Sequence, residues 1–171
     1  MSIVAVKVYD DKIVVGSDSI MVRGYTQTKS ENKFSKLVKT NDMIVGAVGA
    51  AEEFGLFQIY CSTRKPERPD ESGVLNFFSE FATWKHGKTG KFNVDNYYIL
   101  VFDGKAFCIQ RFFVEEIVSF QAIGAGTDYA LSALHLGHDV SKSIETACDL
   151  SIYCVLPVVE YVWSKKKKGV K

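Results

Sequence analysis

The sequence is poor in the side chains that most enzymes recruit for chemistry. It holds three histidines and four cysteines in 171 residues. His86 stands alone. His135 and His138 flank Gly137, where polar or cationic residues commonly close a helix. Cys61, Cys108, Cys148 and Cys154 show no CxxC spacing, which argues against a zinc or redox motif. Cys148 and Cys154 fall six apart on a predicted helix, the wrong spacing for a metal pair. The cysteines read as buried free thiols in a reducing compartment. No cofactor and no metal are expected.

An excess of one charge is also missing. Lys and Arg number 21 against 20 Asp and Glu, a formal charge of +1, which argues against a dedicated nucleic-acid binder. The one charge run, Lys165 to Lys168, reads as a solvated tail. Residues 1–164 are therefore expected to form a single domain, with 165–171 as a Lys-rich tail. No apolar run approaches the ~20 residues that span a bilayer. The N-terminus lacks the basic-then-apolar pattern of a signal peptide. No membrane partner and a cytoplasmic location are expected.

What is present is a core. Hydrophobic residues make up 47% of the chain and aromatics 13%. The chain opens with alternating or apolar Val- and Ile-rich segments at 3–8 and 12–17, predicted as strands around an Asp10-Asp11 turn. The polar, Thr-rich segment 20–38 reads as a loop or ribbon, then a strand through Phe34 and Leu37. Residues 43–49 read as a buried strand stopping at Gly49.

Helical spacing follows at 50–63, with Ala51, Phe54, Phe57 and Cys61 on one face, and at about 72–86, with Leu75, Phe78, Phe81 and Ala82. Gly87 to Asn93 is predicted to break the second helix. Strands are predicted at 97–102 and 106–111 around the Asp103-Gly104 hairpin signal, and again at 118–123. Thr127 is read as the cap of a third helix. A fourth runs from about Ser141 through Ile152 until Pro157 stops it, and 158–163 is a last strand.

The order is strands, two helices, strands, two helices, strand. Paired helices set apart from runs of strands predict an α+β fold with antiparallel sheets. Gly124-Ala125-Gly126 lies between a strand and a helix, but Tyr129 occupies the third glycine position of a dinucleotide loop. A tight strand-to-helix turn is the better reading.

The first thirty-three residues combine Ser2 directly behind Met1, Ser17-Asp18-Ser19 after the second strand, and Lys33 opening Lys33-Phe34-Ser35-Lys36-Leu37. A hydroxyl residue that becomes the chain terminus has its own α-amine as general base. Such a group requires no histidine, metal or cofactor.

Four stretches carry a family likeness. Ile3-Val4-Ala5-Val6 with Gly16-Ser17-Asp18 forms one, and Lys33-Phe34-Ser35-Lys36-Leu37 a second. Gly46-Ala47-Val48-Gly49-Ala50-Ala51-Glu52-Glu53-Phe54 is a third. The fourth comprises Ala122 to Gly126, Tyr129-Ala130 and Cys148 to Tyr153. In this order and spacing the chain resembles a proteasome-type N-terminal nucleophile (Ntn) hydrolase of the HslV kind, with an Anbu-like opening.

The resemblance implies a four-layer αββα sandwich of two antiparallel sheets between helix pairs. It implies a peptidase with Ser2 as nucleophile once Met1 is removed. Lys33 would lie beside the hydroxyl, Asp18 would hold that lysine, and the Gly49 N–H would be the oxyanion donor. It also implies a homo-oligomeric ring, a polypeptide substrate and an ATP-dependent unfoldase partner.

Two registers remain open. Matching Ile3-Val4-Ala5-Val6 directly puts Met1 at the nucleophile position. Matching the sixteen positions between Ser2 and Asp18 puts Ser2 there. Ala125 also stands where HslV-type peptidases generally carry serine. That departure motivates the alternative, a catalytically inactive, ring-forming scaffold member of the same fold.

Overall fold

β1 (Ile3–Val8) and β2 (Lys12–Ser17) pair antiparallel, Val4 opposite Ser17 and Val8 opposite Ile13. β10 (Phe120–Gly124) and β11 (Val159–Ser164) flank them, giving a four-stranded sheet in the order β10-β1-β2-β11. A second antiparallel sheet takes β5 (Leu37–Thr40), β6 (Met43–Val48), β7 (Tyr97–Phe102), β8 (Lys105–Gln110) and β9 (Phe113–Ile117) in chain order. β3 (Met21–Arg23) and β4 (Thr26–Thr28) make a separate ribbon. The helices are α1 (Ala51–Cys61), α2 (Glu71–Thr89), α3 (Thr127–His135) and α4 (Val140–Leu150). The computed structural model describes residues 2–28 and 35–165.

The chain is thus α+β, with two main antiparallel sheets and two helix pairs. Three apolar clusters account for the sequence pattern. Phe54, Phe57 and Tyr60 of α1 and Phe77, Phe78 and Phe81 of α2 pack with Val45, Tyr98, Leu100 and Phe107 of the five-stranded sheet. Phe57 meets Phe78 and Phe81 at 4.8 Å and Tyr98 at 4.6 Å between ring centroids, within the range where aromatic pairs attract. Many of the aromatics are therefore core.

The second cluster joins alternate residues of the two sheets, among them Val4, Val6, Ile13 and Val15 with Ile44, Ile99 and Val101. The third joins Ile3, Ala5 and Val14 to Ala130, Leu134, Ile144 and Ala147 of α3 and α4. Both faces of β1 are covered, so its first four residues are all buried. This is why the segment is apolar throughout, not strictly alternating.

Several boundaries differ from those predicted. α2 runs past Gly87 and ends at Gly90, whose φ of 72° closes the helix in the left-handed conformation. Its N-cap is Asp70, which accepts from Gly73 N at 2.7 Å. Ala51 and Leu75, predicted on the buried helix faces, are exposed; Tyr60, Val74 and Phe77 are buried instead.

The predicted strand 118–123 is β10, which begins at Phe120, and a further strand, β9, precedes it with a bend at Val118 and Ser119 between them. Gly126, not Thr127, is the N-cap of α3, and Thr127 Oγ1 donates to Gly124 O at 2.6 Å. α4 ends at Leu150, leaving Ile152 and Cys154 outside the helix; Asp139 caps its start.

Lys165, read as the first tail residue, donates from its backbone N to Asp11 O and from Nζ to Tyr9 O. The remainder of the Lys-rich tail, 166–171, lies outside the described residues. Among the described residues no helix is long and apolar enough to cross a membrane.

Candidate functional site

The site begins where β2 ends. Ser17 is the last strand residue, and Asp18 follows it into the interior, 1% exposed. A buried carboxylate must find donors for its oxygens. Asp18 Oδ1 accepts from Ile3 N at 3.0 Å, and Oδ2 accepts from Ile20 N and Val155 N, each at 3.1 Å. Its own backbone N donates to Ile3 O at 3.2 Å. Asp18 therefore grips the residue directly after Ser2.

The cation that completes this carboxylate is Lys36. Its Nζ lies 3.1 Å from Asp18 Oδ1 and donates to Asp18 O at 3.1 Å. Lys36 sits just before β5 and is 9% exposed. Burial pulls its ammonium below the usual lysine range, while the Asp18 carboxylate opposes that shift. Lys33, the lysine assigned from the sequence, lies outside the described residues. Lys36 was missed because two lysines share one short segment. The signal that favours it is its place beside Leu37, the buried first residue of β5.

Ser2 is 4% exposed. Its backbone O accepts from Gly126 N at 3.3 Å. Gly124 has φ of 112°, and a Cβ there would collide with Ser2 O. The Gly124-Ala125-Gly126 turn therefore packs on the start of the chain, where only glycine permits so close an approach.

Gly49 directly follows β6, with φ of 133°. A Cβ on it would run into the side chain of Asn96, the residue before β7. Asn96 in turn bonds both backbone groups of Ala50, accepting from its N at 2.6 Å and donating to its O at 2.8 Å. Nothing in the local sequence marked Asn96, which acts across 46 positions.

These pieces meet in one cavity of about 240 Å³. Ser2, Lys36, Gly49, Ala50, Phe54 and Asn96 are among the residues that line it. Of the residues singled out from the sequence, Ser2 and Gly49 face the same space, and Asp18 reaches it through Lys36. Chemically, the arrangement places a hydroxyl, a carboxylate-held cation and a glycine turn around a pocket large enough for part of a peptide.

Cys154 Sγ lies behind the glycine turn, 2.7 Å from where a Cβ on Gly126 would stand. Burial raises its pKa, and the Asp18 carboxylate adds to the rise, which keeps the thiol protonated and unreactive. Cys148 is pushed up to about 12 for the same two reasons.

No family model matches the chain, and no curated protein matches it. Solved structures do. BPH of Thiobacillus denitrificans superposes with a TM-score of 0.86 at 16% identity, covering 96% of this chain and 99% of that one, both alone and in complex with Epoxomicin. The chain has an HslV-type fold. Eukaryotic HslV from Trypanosoma brucei also superposes, with a TM-score of 0.69 at 17% identity over 95% of this chain and 99% of that chain. At such low identity the likeness lies in the fold, and the chemistry must be argued from this chain's own residues.

Proposed function

We propose that this chain is a proteasome-like N-terminal nucleophile peptidase, with Ser2 as its nucleophile after removal of Met1. The observation that carries the reading is the single cavity shared by Ser2, Lys36 and Gly49, with Asp18 paired to Lys36 behind it. The three apolar clusters support the finer architecture, a four-layer αββα sandwich.

In this reading the Ser2 α-amine, with an ordinary pKa of about 7.7–8.0, is partly neutral near pH 7 and accepts the hydroxyl proton. Lys36 takes the part assigned to the catalytic lysine. Its charge favours the alkoxide and discourages protonation of the amine. Ser2 Oγ attacks the peptide carbonyl carbon. The oxyanion formed is met by the Gly49 N–H, a preorganised donor of the kind that contributes about 3 kcal/mol. The amine returns the proton to the leaving nitrogen as the C–N bond breaks. Water then hydrolyses the ester on Ser2 and regenerates the hydroxyl.

A ring of identical subunits is part of the proposal, together with a polypeptide substrate fed by an ATP-dependent unfoldase. Support comes from exposed apolar residues, including Phe112, Phe113 and Val118 around edge strand β9 and Ile152 and Leu156 beyond α4. One observation favours the second reading, a scaffold subunit without activity. Ala125 is exposed in the glycine turn beside Ser2 and offers no side-chain hydrogen bond.

The deciding experiment combines intact mass with covalent labelling. The active reading expects loss of Met1 and an adduct with epoxomicin, the compound bound in one of the similar structures. It also expects peptide hydrolysis that disappears in Ser2→Ala. Retained Met1 with no adduct would leave the scaffold reading standing.

A further inference from the structure

We propose that Asn96 is the positioning residue for the Gly49–Ala50 turn, and that the buried Glu53–Lys85 ion pair holds Asn96 in that place. The inference rests on the peptidase reading for its kinetic consequence, though not for its geometry.

Asn96 is 2% exposed, and its side-chain amide bonds both the backbone N and the backbone O of Ala50. An amide is the side-chain group that can donate and accept in this paired way. The same side chain fills the space where a Gly49 Cβ would be. One group thus fixes the turn by two hydrogen bonds and by contact. Gly49, Ala50 and Asn96 all line the same cavity.

Asn96 is itself held from behind. Glu53, on the first turn of α1, accepts from Asn96 N at 2.9 Å and from Asp95 N at 3.1 Å through Oε1. Tyr98 OH donates to the same oxygen at 3.0 Å. Lys85 of α2 pairs with Glu53 Oε2 at 2.6 Å and donates to Asn93 O. Glu53 and Lys85 are 7% and 5% exposed.

A buried ion pair is weak as a source of net stability, since desolvation offsets most of the attraction. Its geometric effect is stronger. It ties α1, α2 and the segment entering β7 into one closed circuit that passes through Ala50. Glu53 and Lys85 are not among the residues lining the cavity, and the bonds that Glu53 accepts from Asn96 and Asp95 connect them to the turn that does. Misplacing a transition-state donor by a fraction of an ångström is costly to rate without altering the pocket that binds substrate.

The test uses the full chain with Asn96→Ala, Asn96→Asp and the double variant Glu53→Gln/Lys85→Met. Asn96→Ala is expected to lower kcat for a peptide substrate about 10–100-fold with KM within about 3-fold. Exchange of the Ala50 amide hydrogen should quicken about 10-fold or more, while the amides of 44–47 in β6 stay protected. Asn96→Asp keeps the acceptor for Ala50 N and should restore that protection. The double variant should share the kcat loss in weaker form.

Unchanged kcat in Asn96→Ala overturns the proposal. So does a loss of protection spread over β6 and β7, which marks a merely structural role. If the parent chain, with Met1 removed, neither hydrolyses peptide nor binds epoxomicin, the peptidase reading falls. Ala50 exchange then decides the Asn96 clamp by itself, and unchanged exchange overturns it.

Discussion

The Lys36 ammonium is bound twice by one residue: Nζ lies 3.1 Å from Asp18 Oδ1 and donates to the Asp18 main-chain O, also at 3.1 Å. Asp18 at the same time accepts from Ile3 N. One carboxylate thus sets both the lysine and the backbone adjoining Ser2. The relative placement of the hydroxyl and the cation depends on it.

The first prediction separates two lysines three positions apart. Lys36→Ala should reduce peptide hydrolysis below detection, because among the described residues Lys36 is the cation paired with Asp18. Lys33→Ala should retain most of the activity. The measurement is kcat/KM for both variants against the parent. Loss in Lys33→Ala with full activity in Lys36→Ala would reassign the catalytic lysine.

Asp18 carries a stability prediction of its own. Removing one partner of a buried ion pair leaves the other charged and unpaired, at a cost of about 3–5 kcal/mol. Asp18→Ala also strips acceptors from three backbone N–H groups, those of Ile3, Ile20 and Val155. Urea unfolding should show a loss at least in this range, whereas a loss under ~1 kcal/mol would mean water replaces the carboxylate.

How much of this was legible beforehand depends on whether a local pattern encodes it. β1, β2, β6 and β7 lie where the apolar runs placed them, since burial between layers requires such runs. β9 escaped notice because it is an edge strand, and Glu115-Glu116 interrupts the apolar signal. The α2 terminus was misplaced because a helix tolerates Gly87 but ends where Gly90 turns left-handed. Ser2 and Asp18 were marked by their spacing, while their roles and that of Gly49 followed from the family resemblance. Lys36 depends on its side chain turning inward to Asp18, and Asn96 on a contact between distant segments. Neither is a property of neighbouring residues.

Acid titration should expose the Glu53 circuit. Burial alone would push Glu53 up, but the bonds from Lys85, Asn96 and Asp95 outweigh it and hold the carboxyl below its ordinary value. The unfolded chain therefore takes up this proton more readily than the folded one. The resulting stabilisation is complete above the unfolded value of about 4.3 and is lost as pH falls through the lower folded value. Glu53→Gln lacks this term. It should be less stable than the parent at pH 7, with the difference narrowing below about pH 4. Parallel stability curves from pH 7 to pH 3 would count against the assignment.

Two glycines six positions apart should respond to alanine with opposite sign. At Gly55, inside α1, an added Cβ meets nothing within 4 Å. Alanine there should stabilise the chain by about 0.5–1 kcal/mol, because the unfolded state loses freedom that the helix does not need. At Gly49 the backbone φ of 133° disfavours any side chain, and the Asn96 amide already occupies the space. Gly49→Ala must push Asn96 off Ala50 or move the turn, so it should lower both stability and the epoxomicin labelling rate. Gly55→Ala should label at the parental rate. A Gly49→Ala variant with parental stability and labelling would show that the turn yields freely, and with it the case for Gly49 as oxyanion donor would go.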